Sequence, residues 1–345
     1  MSDRRRPAMP PRHRAHEPGD RGAVLITVLL IVAAMAAVAV SMMDDMRFAL
    51  ARTGNARAAM QARWHAFGAE ELARLALSAS LRQNPDQTTR DQPWAERAGR
   101  FPVAGGTVSG HLRDMSGCFN VNSLVSRSES GTYAPNPSAR ARLVRLMTVL
   151  DIPEGDADAL TRALTDWIDS DSRPEPRGAE DFSYTGLNPA YRAANTPIAH
   201  IATLRAIRGM TAPLYDRLAP YLCALPVADA VAINLNTLDT ADWPLLAMLA
   251  DDLPPGPLQQ ALAERPGGGF ASVDAFWTQR ALEGITIPDS ARQATALKST
   301  YFALTSEVVY QETRLVMESL IRADSAADIR VVRRRFGERF QEGRP

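Results

Sequence analysis

One long unbroken apolar run stands out in the chain, Ala23 to Met43, interrupted only by Thr27 and Ser41. A helix of about 20 apolar residues spans a hydrocarbon core, so this run is long enough to cross a membrane. Residues 1–22 before it are polar and basic, with Arg4, Arg5, Arg6, Arg12, Arg14, Arg21 and several prolines, a composition that predicts disorder. Asp44 and Asp45 follow the run. Basic residues before and acidic residues after predict an N-terminus in the cytoplasm and the bulk of the chain outside. No proline or turn cluster occurs from Asp44 to Leu81, and Met60, Trp64, Phe67, Leu72 and Leu75 recur at near-helical spacing. The pattern predicts one helix from Ala23 to about Ser78, amphipathic in its second part. At 1.5 Å per residue it is about 80 Å long. Gly54 and Gly68 are weak points, each costing up to about 1 kcal/mol relative to alanine.

Beyond this helix the pattern changes. Asn84-Pro85-Asp86, Pro93, Pro102 and Gly105-Gly106 mark a loop region. Thr107 to Leu112 alternates as a strand does, and Phe119 to Asn122 is a second candidate strand. From about Ala139 to Leu297 the periodicity is mostly helical, as in ARARLVRLMTVLDI and ADALTRALTDWI, and prolines divide it into short helices. YFALTSEVVY (301–310) then alternates and is rich in aromatic and β-branched residues, which predicts a strand. IRVVRRRF (329–336) predicts another, and RLVMESLIR (314–322) is strand or helix. Strands before and after a helical block imply one sheet interrupted by an insertion.

Composition adds bounds. The 345 residues allow about two domains, and an apolar content of 46% suffices for a core. With 39 basic and 39 acidic side chains, no global charge pulls the chain toward nucleic acid or anionic lipid. The two cysteines, Cys118 and Cys223, are too few for a disulfide scaffold, and two buried free thiols or one bridge both fit.

Candidate chemistry centres on acids. Asp166, Asp169 and Asp171 are followed by Glu175, Glu180 and Asp181, with Pro174, Pro176 and Gly178 among them. Calcium takes about six to eight oxygen ligands, and a loop of spaced carboxylates can wrap it. The order does not fit an EF-hand. A helix end with solvated capping acids shows the same pattern. Nothing suggests an enzyme. No two of the five histidines have metal spacing, and no nucleophile motif surrounds a serine. Gly267-Gly268-Gly269 lacks the lysine of a phosphate loop. LRAIRGMTAPLYDRLAPYL resembles a helix-hairpin-helix, and INLNT with the helices after it resembles another. Phosphate binding needs a basic surface. The first hairpin, Arg208-Gly209-Met210, lacks a second glycine, and Asp251-Asp252 lie near the second. These helical pairs are expected to be a packing scaffold, with no nucleic-acid partner. A membrane-anchored DNA-binding protein of an uptake or pilus-like system is the alternative.

Three kinds of segment share the N-terminal pattern: a secretory signal with Ala37-Val38-Ala39 as its cut site, a plain anchor, and a prepilin leader cut after Gly22 to leave Ala23 as the mature end. An apolar helix that continues without a break into a long amphipathic one is the N-terminal plan of type IV pilins and pseudopilins, which favours the third. The rest of the chain narrows this. DMSGCFNVNSL (114–124), LTDWIDSDSRPEPRGAEDFSY (164–184), YRAANTPIAHIATLRAIRGM (191–210), LYDRLAPYLCALP (214–226) and INLNT (233–237) together resemble the K-type minor pseudopilin family of bacterial type II secretion systems.

The resemblance implies an α/β pseudopilin fold: a long N-terminal helix on an antiparallel sheet, with a large all-helical domain inserted between strands. It implies a leader over 1–22, a transmembrane part over 23–43 and a periplasmic amphipathic part over 44–81. The pseudopilin module then occupies 82–138 and 298–345, and the inserted domain 139–297. Thr27 stands at the fifth mature position, where most pilins carry a glutamate and K-type members do not, as expected of a subunit with no subunit above it to satisfy; a tolerated threonine whose hydroxyl bonds its own helix is the alternative. The family's association with calcium points to Asp169, Asp171, Glu180 and Asp181 as ligands. Its frequent cysteines at these positions favour a Cys118–Cys223 bridge. It also implies an N-methylated Ala23 and insertion in the inner membrane with the main domain periplasmic. Trp64, Phe67 and Leu75 would pack against partners, in the first place the I- and J-type minor pseudopilins. The H type, the major pseudopilin, the assembly platform and the prepilin peptidase are further partners. The function implied is capping the tip of a periplasmic filament that supports export of folded proteins.

Overall fold

The computed structural model describes residues 20–95 and 100–337, with side chains from Gly22 onward. Residues 1–19 of the expected leader and the tail from residue 338 lie outside the described residues. The chain divides into two units, Met1–Ala58 and Ala59–Pro345. Helix α1 (Asp20–Gln83) contains no proline, and it stops where Pro85 disfavours helical backbone at Asn84. Neither Gly54 nor Gly68 has a neighbour within 4 Å of where a Cβ would sit, so neither glycine serves a close contact.

The second unit is built on a five-stranded antiparallel sheet. Strands β1 (Phe101–Val103) and β2 (Gly106–Asp114) open it. After them the chain leaves the sheet for almost two hundred residues. In that excursion come β3 (Phe119–Asn120), β4 (Val125–Arg127), β5 (Tyr133–Pro135), α2 (Pro137–Val149), α3 (Glu154–Ile168), α4 (Asp181–Thr185), α5 (Ala212–Leu218) and β6 (Leu222–Cys223). Then follow β7 (Ile233–Asn234), α6 (Trp243–Ala247), α7 (Pro255–Ala263), α8 (Val273–Trp277), α9 (Asp289–Gln293) and β8 (Thr295–Ala296). The chain returns as β9 (Tyr301–Tyr310), β10 (Thr313–Ser325) and β11 (Asp328–Phe336), and the order across the sheet is β1-β2-β9-β10-β11. Residues 314–322, open between helix and strand in sequence, are strand because β9 and β11 flank them on both sides.

One face of α1 packs on this sheet. Ala62 and Ala66 meet Val108, Val308 and Met317, while Ala73, Leu77 and Leu81 meet Leu112, Phe302, Leu304 and Ile321. Alanines at four-residue spacing leave the helix backbone close to the sheet. Within this apolar contact Glu70 is buried, accepting two hydrogen bonds from Arg334 at 2.8 Å and one from Ser319 at 2.6 Å. Arg334 reaches it because β11 has a bulge: Leu320 pairs Arg333 and Ile321 pairs Val331, so Val332 is the extra residue. The bulge reverses the alternation. Ile329 and Val331 face the helix before it, and Arg334 and Phe336 face the helix after it. Arg333 and Arg335 are thereby turned to the inserted segment, toward the Ala199 and Ala224 carbonyls and His200.

The insertion has two halves, each closed by a two-residue parallel strand pair. β3 pairs β6 in the first, and β7 pairs β8 in the second. Only Phe119 and Asn120 of the expected 119–122 strand are extended. The Asn120 side chain accepts from the Asn122 N–H and turns Val121–Leu124 into a 3-10 helix. Cys118 and Cys223 form a disulfide, with Cα atoms 5.8 Å apart, that ties the first residue of this half to its last strand.

Candidate functional site

The acidic loop runs from the end of α3 to the start of α4. Helix α3 ends at Asp169, whose N–H still bonds the Thr165 carbonyl. Asp171 starts a turn by accepting from the Arg173 N–H at 2.8 Å. Glu180 is the N-cap residue of α4. The chain between is held from inside and outside. Inside, the fully buried Asp166 accepts from the N–H groups of Ala179 at 2.7 Å and Glu175 at 3.2 Å. Gly178 is required beside it, because a Cβ there would lie 2.0 Å from the Asp166 carboxylate. Outside, Glu175 is gripped by Arg140 at 2.7 and 2.6 Å and by Arg162 at 3.1 Å.

The result brings one carboxylate oxygen each of Asp169, Asp171 and Glu180 within 4.8 Å of one another. Asp169 and Glu180 are buried, and Asp171 is exposed. The Oδ1 of Asp169 and both carboxylate oxygens of Glu180 have no hydrogen-bond partner, although they are buried. A buried carboxylate without a partner is costly. Burial first, and then the Asp171 and Asp166 charges, push Asp169 up to about 7. Burial followed by Asp166 pushes Glu180 up to about 7 as well. Burial also raises Asp166 to about 6, against its two N–H donors. Three convergent oxygens of this hardness, two of them orphaned, fit a hard divalent cation.

Asp181, the fourth ligand expected from the sequence, is not in this group. Its carboxylate accepts from the Ala193 N–H at 3.0 Å and lies 3.5 Å from Arg192. Two other residues at the site were not anticipated. The Asn195 side-chain nitrogen donates to the Asp171 carbonyl at 2.6 Å, while its Oδ1 is buried without a partner. Its backbone is left-handed, φ 45°, a conformation asparagine tolerates. Trp167 also adjoins the loop, stacked edge-on against Tyr184 with ring centroids 5.2 Å apart. The left-handed propensity of asparagine was the only signal for Asn195, and many asparagines share it.

A second candidate surface lies on α1. Opposite the alanine face, Met60 is 63% exposed, Trp64 64%, Leu72 60% and Leu75 56%. Phe67 sits at the border. It is partly buried against the sheet, where Phe336 and Arg334 contact its ring. In the first unit, α1 carries a segment long and apolar enough to cross a membrane, with Val24 to Met43 exposed along it. Gly22 and Ala23 are exposed in its first turns, and the Thr27 hydroxyl donates to the Ala23 carbonyl at 2.8 Å.

Comparison with known proteins places these features in a family. Two family models, both described as type II secretion system (T2SS), protein K, match residues 117–227 and 233–298. The type II secretion system protein K of Pectobacterium carotovorum subsp. carotovorum is 36% identical over 322 residues, spanning 92% of this chain and 97% of that one. Its counterpart from Klebsiella pneumoniae is 36% identical over 319 residues, with the same coverage of 92% and 97%. Among solved structures, the crystal structure of the GspK-GspI-GspJ complex from the enterotoxigenic Escherichia coli type 2 secretion system contains a chain with TM-score 0.74 and 34% identity. That match covers 84% of this chain and 100% of the other. The boundary between the two matched segments falls between β6 and β7, where the structure divides the insertion. This chain therefore belongs to the protein K family of type II secretion systems.

Proposed function

We propose that this chain is a minor pseudopilin that caps the tip of the periplasmic pseudopilus and so supports export of folded proteins across the outer membrane. The two-sided α1 carries this reading. Its alanine face is spent on the protein's own sheet, and the opposite face offers Met60, Trp64 and Leu75 to solvent. A helix with a second apolar face has room for another subunit's helix. The I- and J-type subunits are the first candidates, because the solved relative is a GspK-GspI-GspJ complex. The anchor places the N-terminus in the cytoplasm and the sheet and insertion in the periplasm, as the flanking charges direct. A prepilin peptidase would cut after Gly22. Thr27, neutral and bonded to its own helix, places no unpaired charge in the bilayer. It offers none to the amine of a neighbouring subunit. The acidic loop holds calcium through Asp169, Asp171 and Glu180, with Asn195 as a further oxygen donor.

Co-expression with a prepilin peptidase followed by N-terminal sequencing tests the processing; a start at Ala23 is expected, and a start near Ser41 or an uncut chain overturns it. Co-purification with I- and J-type subunits tests the face. Trp64→Asp with Leu75→Asp should abolish capture while leaving the thermal midpoint within about 2 °C, since both side chains are already in water. Undiminished capture would move the interface elsewhere.

A further inference from the structure

Helix α2 presents three arginines along its length, and two are paired. Arg140 holds Glu175, and Arg145 pairs with Asp251. Arg142 lies between them, partly buried, and makes no hydrogen bond or ion pair among the described residues. Burial lowers its proton affinity, and the neighbouring Arg145 lowers it further. A guanidinium carries five donors that ordinarily find acceptors. Here no described protein group accepts from them. Arg142 lines a cleft between the two halves of the insertion, with Cys118 and Asn120 from the first and Ile233, Met248 and Leu249 from the second. The polar atoms of the cleft are already committed. Asn120 donates to the Val227 and Asp229 carbonyls and accepts from the Leu225 N–H, and Ser123 donates to the Asn120 carbonyl. About 20 Å³ is open to the centre of a water-sized group, room for one small polar group.

We propose that this cleft seats a carboxylate, or a monoanion of that size, on the Arg142 guanidinium. A carboxylate entering from the open side would meet a planar fork of donors with no internal competitor, the geometry that gives the strongest charge-assisted bonds. The anion would also bridge the halves, because Arg142 belongs to the first and Ile233, Met248 and Leu249 to the second. The carboxylate has two possible sources, a free small anion or an acidic side chain of a partner protein.

Thermal unfolding of the detergent-solubilised full chain in calcium-containing buffer, titrated with acetate at constant ionic strength, tests the proposal. Arg142→Met and Arg142→Lys run in parallel and cancel general salt effects. Wild type should show saturable stabilisation and Arg142→Met none. Arg142→Lys, a point charge without the fork, should half-saturate at a concentration higher by about tenfold. An identical response of wild type and Arg142→Met overturns the proposal. Should Arg142→Met not fold, an acetate response of Arg142→Lys equal to wild type overturns it instead. N-acetyl-glutamate amide distinguishes the sources. Half-saturation below that of acetate supports a protein side chain as the natural occupant, and half-saturation above it supports a free anion.

Discussion

The two halves of the insertion begin with the same short motif and secure it differently. The first reads Phe119-Asn120-Val121-Asn122-Ser123-Leu124 and the second Ile233-Asn234-Leu235-Asn236-Thr237-Leu238. In both, the first asparagine sits on a parallel strand pair and bonds the backbone N–H of the second. Their outward ties diverge. Asn120 and Asn122 bond only to their own half: to Val227, Asp229, Ile198 and Leu225. Asn234 instead reaches Thr88, in the loop after α1, and Ser299, just before β9. Ser299 and Thr237 both donate to Asp114 at the end of β2. The first half is thus clipped internally by its asparagines and the disulfide and carries the acidic loop, and it meets the sheet through Arg333 and Arg335 and the contact of Cys223 and Leu225 with Tyr301 and Leu320. The second half is the one welded to the sheet through buried polar bonds.

Removing the disulfide should break the comparison most strongly. Closing a loop between residues 105 apart is worth about 4 to 5 kcal/mol by chain entropy. Replacing Cys118 and Cys223 by alanine should lower stability by about that amount. Hydrogen exchange should accelerate in β3, β6, α2 and α3, while β7 and β8 keep their protection. Equal loss in both halves would show that the bridge stabilises the insertion as a whole and would end the distinction.

The asparagines should show the next largest effect. Asn122 is fully buried, donates to Ile198 and Leu225 and accepts from the Ile198 N–H at 2.7 Å. Asn122→Ala strands three backbone groups, a cost of about 3 kcal/mol or more. Asn236 accepts one bond, from the Phe270 N–H, and its own amide nitrogen is buried without a partner. Asn236→Ala should therefore cost only about 1 kcal/mol, because it removes an unsatisfied group along with a satisfied one. Chemical denaturation of the two variants measures the difference, and equal midpoints would contradict it.

Much of this was legible from pattern. Periodicity marked α1, α2 and α3 and the strands β9 and β11, because each is long enough for its period to show. The bulge at Val332 was not legible, since IRVVRRRF alternates no more irregularly than a straight strand. The side of α1 that meets the sheet was also hidden. The larger residues, Met60, Trp64 and Leu75, suggested the apolar stripe, but the sheet takes the small ones, Ala62, Ala66 and Ala73. Phe67 alone of the marked residues divides between the two faces. At the acidic loop, composition found the carboxylates but not their directions. Asp181 follows Glu180 directly, yet α4 begins there and turns successive side chains apart. Asn195 arrives from a different segment altogether. The equivalence of the two asparagine motifs emerges only when the strand pairs β3–β6 and β7–β8 show them doing the same job.

The smallest expected effect is the one confined to the acidic loop. Asp169 and Glu180 have folded-state values near 7, raised from ordinary carboxylate values near 4. The metal-free folded state thus binds these protons more tightly than the unfolded chain does. The stability they contribute is complete below about pH 4 and is lost as pH rises through about 7. Metal-free protein should accordingly unfold at a lower temperature at pH 8 than at pH 5, with hydrogen exchange rising around residues 166–181 rather than in the second half. A cation reverses the trend. It binds the ionised form, so its affinity falls as protons compete below pH 7. Calcium at a hundredfold excess over its pH 8 Kd should stabilise by about 2.7 kcal/mol at pH 8, and the same concentration should stabilise less at pH 5. Trp167 beside the loop gives a local fluorescence signal for the same titration. Asp169→Asn should weaken the metal-free pH dependence, leaving the part carried by Glu180, and abolish the calcium response, since Asp169 contributes to both. If calcium still stabilises Asp169→Asn as it does the wild type, the cation site lies outside this loop, and the first half is distinguished by its disulfide alone.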